Sequence, residues 1–149
     1  MVTKYPINLD FDGILKIAKN NGVRLSFFRD TDKVTKSMNI IPLDINGTQN
    51  IKDSFRLCFN ANNECITLSY GRLYTCSRCA TVQYFNKYFD KNIELSEMDS
   101  IDIYKANNID EILSFLCKPI PFCRYCDLRK TEFRKPWHIS NREISEWTV

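Results

Sequence analysis

Cys58-Phe59-Asn60-Ala61-Asn62-Asn63-Glu64-Cys65-Ile66-Thr67-Leu68-Ser69-Tyr70-Gly71-Arg72-Leu73-Tyr74-Thr75-Cys76 reads as a hairpin bracketed by cysteines. Ile66, Leu68, Leu73 and Tyr74 supply the apolar positions of two short strands, and Ser69-Tyr70-Gly71 supplies the turn, where glycine gives the backbone its freedom. Asn60 to Asn63 reads as a loop. Such a hairpin returns one cysteine towards another, and a later C-x-x-C, Cys123-Arg124-Tyr125-Cys126, adds two more thiols. Four converging thiolates suit a metal.

The bounds around this stretch are broad. A chain of 149 residues with 44% hydrophobic content can bury a core. Its net charge of +3 is too small to imply nucleic acid or an anionic membrane as partner without a clustered patch. No apolar run approaches a membrane span and the N-terminus lacks the layout of a secretory signal, so the expected location is the cytoplasm. Seven cysteines, an odd number, disfavour a closed disulfide framework and favour thiolates kept for a metal.

Working outward towards the N-terminus, Val2 to Ile7 is expected to be extended around Pro6. Asp10 should cap a helix carrying Phe11, Ile14, Leu15 and Ala18, stopped at Asn21-Gly22. Val23, Leu25 and Phe27 alternate as a strand would. From Asp30 to Asn50 the reading is irregular, with Ile40, Ile41 and Leu43 as a brief apolar run.

Towards the C-terminus, Thr81 to Phe89 should form a helix with Val82, Phe85 and Phe89 on one face and Tyr84 and Tyr88 on another. Its aromatics read as core rather than as a stacking platform for single strands, because no basic groove accompanies them. Asp90 to Asn107, with Glu94, Glu97, Asp99 and Asp102, reads as a solvated acidic loop. Asn108 should cap a helix with Ile109, Ile112, Leu113 and Leu116 as its buried stripe and Cys117 as a small buried hydrophobe, ended by Lys118-Pro119. Pro119 and Pro121 then hold the approach to Cys123 extended. After the basic stretch Arg129, Lys130, Arg134 and Lys135, the pair Ser140 and Glu143 forms a capping box for a last short helix with Ile144 and Trp147. His138 reads as surface or as a residue beyond the ligand shell.

The chemistry turns on how the cysteines divide. Zinc and iron-sulfur sites both use C-x-x-C. A zinc ribbon would pair Cys76 and Cys79 with Cys123 and Cys126, although the gap between the pairs exceeds the roughly 15 to 20 residues common in ribbons.

Cys58, twelve residues, Gly71, four residues, Cys76, then a gap to Cys123-x-x-Cys126 resembles the twitch form of the SPASM domain. That domain is the C-terminal auxiliary-cluster region of radical S-adenosylmethionine (radical SAM) enzymes. Gly71 to Cys76, Phe85 to Phe89, Lys118 to Cys126 and Glu146-Trp147 are similar to a bacterial subgroup of unassigned substrate. The resemblance implies an α+β fold: a strand-helix-strand over residues 1–50 like the end of a partial β/α barrel, then over 51–149 a cysteine-bracketed hairpin with short helices around a metal cluster. It implies a [4Fe-4S] cluster held by Cys58, Cys76, Cys123 and Cys126, with Cys65 as a substitute for Cys58 or a further contact and Cys79 incidental. The C-x-x-x-C-x-x-C motif of the catalytic cluster is missing from the chain. The expectation is therefore a C-terminal piece, inactive alone, whose S-adenosylmethionine site lies in a missing barrel domain, a separate radical SAM barrel chain being the expected partner. The cluster would serve electron transfer or substrate contact. A structural zinc-binding interaction module is the alternative, and a plain fold with buried, metal-free thiols a third.

Overall fold

A computed structural model describes residues 10–25, 37–62 and 66–149. The described chain divides into two units, one containing residues up to Asn39 with Phe133–Ser140, the other Ile40–Glu132 with Asn141–Val149.

In the first unit, helix α1 (Phe11–Asn20) begins where Asp10 Oδ1 accepts the Gly13 backbone N–H at 2.8 Å. It ends at Asn21 and at Gly22, which takes φ +66°. Cap and stop are those the sequence announces. None of its residues is buried. Val23 to Leu25 is not strand, and the remainder of that expected strand, like Val2 to Ile7, lies outside the described residues. Strand β1 (Ser37–Ile40) pairs with β5 (Glu132–Pro136), whose Arg134 N–H donates to Asn39 Oδ1 at 3.1 Å. Ile40 and Glu132, at the ends of these strands, belong to the second unit.

The second unit holds the core. The hairpin forms as its sequence dictates: β2 (Thr67–Ser69) and β3 (Arg72–Tyr74) are antiparallel, with Leu68 opposite Leu73. Tyr70 and Gly71 both take positive φ, 49° and 75°, the geometry of a two-residue hairpin turn matched to strand twist. A two-residue strand, β4 (Ile101–Asp102), adds to β3, fastened by Arg72 Nε donating to Ser100 Oγ at 2.6 Å. Helix α4 (Ser77–Phe89) packs against the hairpin with Val82 buried on one face and Tyr84 and Tyr88 on another, as the spacing predicts, but the two tyrosines are exposed rather than core.

Elsewhere the fold departs from the reading. Helix α2 (Ile51–Leu57) was not anticipated; Asn50 caps it by accepting the Asp53 N–H at 3.1 Å. Phe59–Asn62 is one helical turn (α3) rather than a loop. Within the stretch read as irregular, Ser37–Ile40 is strand, and Pro42 to Asp44 is irregular as expected but serves as a central connector. Leu43 donates its N–H to Trp147 O at 2.7 Å and accepts from Val149, while Asp44 N–H bonds Tyr125 O at 2.9 Å. Ile41 and Leu43 accordingly lie in the core with Val82, Ile93, Ile120, Phe122 and Tyr125.

Three surface assignments are corrected. Asp99 is buried, at 1% exposure, rather than solvated. Helix α5 (Ile109–Leu116) is capped by Asn108 as expected, but Ile109 and Leu113 are exposed and Cys117 lies on the surface, because only Phe115 of this helix reaches the core. The closing capping box does not form: Ile144–Glu146 is a 3-10 turn whose N-cap is Glu143, with no side-chain cap. Among the described residues the architecture is mixed α+β, with four helices of seven residues or more and two small sheets, neither of which closes into a barrel. No described helix is long and apolar enough to cross a membrane.

Candidate metal centre

Local structure delivers each cysteine differently. Cys58 sits at the junction of α2 and α3, where its Sγ accepts the Ala61 N–H at 3.5 Å. Cys76 follows β3 and is the N-cap of α4; its Sγ accepts the Cys79 N–H at 3.4 Å, the role an oxygen side chain usually fills. Cys123 and Cys126 lie on the 3-10 turn Pro121–Tyr125 and just beyond it, so the two prolines lead into a tight turn rather than a long extended arm. That turn is pinned by Asp99 Oδ1, which accepts the Phe122 N–H at 2.6 Å, and by Ser54 Oγ of α2, which donates to Cys126 O at 3.2 Å.

Cys58, Cys76, Cys123 and Cys126 form one electrostatic set. Cys76 feels the charges of Cys126 and Cys58, Cys123 those of Cys76 and Cys58, and Cys126 those of Cys123 and Cys58, so all pairs among the four are coupled. Burial, reinforced by this mutual repulsion, pushes Cys76, Cys123 and Cys126 up to about 11. Opposing it, backbone N–H groups favour the thiolates of Cys76 and Cys123, and Arg78 does so for Cys126 by its charge and a side-chain hydrogen-bonding contact. Cys79 is different in kind. It is fully buried in the core, its Sγ donates to Asp99 O at 3.6 Å, and burial drives its thiol far above the ordinary range.

Among the described residues no three His, Cys, Asp or Glu side chains stand in a group that could hold a metal ion as the chain is folded here. Electrostatic coupling reaches about 8 to 10 Å in water, whereas a zinc–sulfur bond is about 2.3 Å, so the thiols are near one another without being closed on a common centre. The donor chemistry nevertheless fits a thiolate-bound group: three of these sulfurs meet backbone N–H groups, the fourth lies beside an arginine, and Arg78 Nη1 is buried without a hydrogen-bond partner among the described residues. Cys65 lies outside the described residues. His138 is exposed, its Nδ1 3.4 Å from Pro136 O.

Two residues of this region escaped the reading of the sequence. Asp99 looked like one acid among several in a loop. Arg78 was legible only as a cation set between Cys76 and Cys79. The chain matches no protein-family model, no curated protein and no solved structure.

Proposed function

We propose that this chain is an auxiliary cluster-binding domain in which Cys58, Cys76, Cys123 and Cys126 hold a [4Fe-4S] cluster. The observation that carries the reading is the pairwise electrostatic coupling of these four thiols together with the withdrawal of Cys79, which is coupled to Cys76, Cys123 and Cys126 as well but is fully buried with its thiol bonded to Asp99 O. The resemblance to twitch domains supports the same four positions, and the hydrogen-bonded thiol of Cys79 argues against the ribbon set in which it would replace Cys58. A bound cluster of this kind supplies one-electron transfer. With a cysteine for every iron, the role is electron relay rather than anchoring of a substrate. The chain's own contribution is to bury the thiols, to offer them N–H donors and to hold the C-x-x-C turn against Asp99.

The test is iron, acid-labile sulfide and zinc content after anaerobic reconstitution of the wild type and of single Cys→Ala variants. About four irons and four sulfides per chain, lost in C123A and C126A and retained in C79A and C117A, is the expected result. Retention in C58A with loss in C65A would make Cys65 the fourth ligand. Retention in C58A with loss in C79A would revive the ribbon pairing. Zinc without sulfide would make this a structural zinc module, a role for which the same four thiolates suffice.

A further inference from the structure

Arg78 occupies the second position of α4, between Cys76 and Cys79, and its side chain is half-buried. Long cations are seldom withdrawn from water unless an anion or a set of acceptors receives them. No ion pair joins Arg78 to a carboxylate among the described residues, in contrast to Lys105 with Asp102 and Lys130 with Asp127. Nη1 is fully shielded from solvent and has no hydrogen-bond partner among the described residues. What does face the guanidinium is sulfur. Its charge acts on both Cys76 and Cys126, and it makes a side-chain hydrogen-bonding contact with Cys126.

An orphaned, buried donor beside thiols is costly while the thiols are neutral, on the order of 1–3 kcal/mol, and is satisfied once they carry charge. Four thiolates around a divalent metal carry a net charge of −2, and the same four around a [4Fe-4S] core in its usual oxidised state also total −2. Either leaves an anionic assembly in a partly desolvated place, where a fixed cation is worth more than in water. Lysine would bring the charge but not the planar set of donors.

We propose that Arg78 is the outer cation of the four-thiolate site, a positioning residue that compensates the charge of the loaded centre and donates Nη1–H to it. This rests on the four-thiolate reading. It goes further by making the affinity and the potential of the centre depend on a residue that is not itself a ligand.

The experiment compares wild type, Arg78→Gln and Arg78→Lys in two measurements. In the first, reduced metal-free protein is titrated with Co²⁺ and the thiolate-to-cobalt absorption is followed. Arg78→Gln should bind about tenfold more weakly with the same final absorption per site, and Arg78→Lys should recover part of the loss. In the second, the reconstituted iron-sulfur forms are titrated electrochemically. Losing the cation should disfavour the more negative, reduced state by about tenfold, a fall of about 59 mV for one electron. Equal cobalt affinities and equal potentials in wild type and Arg78→Gln would overturn the role of Arg78 while leaving the four-thiolate reading intact. A wild type that gives no thiolate-to-cobalt band and assembles no iron-sulfur cluster would overturn both. Should Arg78→Gln not fold, an Arg78→Lys cobalt affinity a few-fold below wild type is the expected result, whereas one identical to wild type would overturn the donation from Nη1–H, and one weakened beyond about a hundredfold with the fold intact would show that the guanidinium fills a packing role instead.

Discussion

Asp99 Oδ1 accepts the backbone N–H of Phe122 at 2.6 Å, joining two residues that are each about 1% exposed. The other carboxylate oxygen accepts the Ser96 N–H at 2.7 Å and its hydroxyl at 3.0 Å. One side chain thereby ties the 3-10 turn Glu97–Asp99 to the turn that bears Cys123. Phe122 is among the largest fully buried side chains, so the bond also fixes a central piece of the core.

Asp99→Asn should therefore cost stability and metal binding together. An amide has one acceptor oxygen where the carboxylate has two, leaving either the Phe122 or the Ser96 donor unmet in a buried place, at about 1–3 kcal/mol. Urea unfolding should show a lower midpoint, and cobalt uptake should weaken because the C-x-x-C turn loosens. An unchanged midpoint would mean that the turn is held by packing alone.

Asp44 makes a different kind of clasp. It is buried, which by itself raises its pKa, but the Thr48 hydroxyl at 2.6 Å, Gln49 Nε2 at 2.9 Å and the Thr48 and Asn46 N–H groups bring it down to about 2. A carboxylate with a depressed folded-state pKa adds stability that is present above its ordinary value of 3.8 and is lost as pH falls through about 2. Allowing for solvent screening, the contribution is on the order of 1 kcal/mol. Wild type should lose this increment between about pH 4 and pH 2, and Asp44→Asn should lack it throughout. Parallel acid unfolding curves for the two proteins would refute the clasp.

Where the sequence could be read, a local rule sufficed. Asp10, Gly22, the Tyr70-Gly71 turn and the Asn108 cap each follow from the chemistry of one or two residues, and each stands in the fold. What was missed depends on distant partners. Helix α4 begins four residues before the expected Thr81 because a cysteine, Cys76, takes the capping role. Pro42 to Asp44 carries no periodic signal, yet it is paired on both sides by segments from the C-terminal third of the chain. The stripe of α5 has the right spacing, but Ile109 and Leu113 find no cover among the described residues, so amphipathic spacing there specified the helix without specifying its burial. In the candidate site, the cysteine spacing was legible; the supporting roles of Asp99 and Arg78 were not, since burial decides them.

The cysteines should separate by reactivity in the native, reduced, metal-free protein. Of the described cysteines, Cys117 is exposed and should be alkylated first by iodoacetamide, whereas Cys79, fully buried and hydrogen-bonded to Asp99 O, should resist until unfolding. Cys79→Ala removes a small buried side chain and should cost about 1 kcal/mol without altering metal content. Peptide mapping of the alkylated protein reads the order directly, and early labelling of Cys79 would contradict its place in the core.

Alkali should destabilise the metal-free protein while favouring metal uptake. Burial and mutual repulsion raise Cys76, Cys123 and Cys126 from 9.0 to about 11 in the folded chain. Since the folded value lies above the unfolded one, the stability linked to each thiol is fully present below about pH 9 and is lost as pH rises through about 11, by at most about 3 kcal/mol per thiol. Metal binding runs the other way, because thiols must release protons to become ligands, so Co²⁺ affinity should climb steadily with pH below that range. Urea midpoints of the metal-free chain from pH 7 to pH 11 should hold level and then fall, and the fall should be smaller in Cys123→Ala, which separates the thiols from the lysines and tyrosines that titrate nearby. An alkaline fall identical in wild type and Cys123→Ala would show that Cys123 ionises as readily in the folded chain as in the unfolded one, and that burial does not hold its proton.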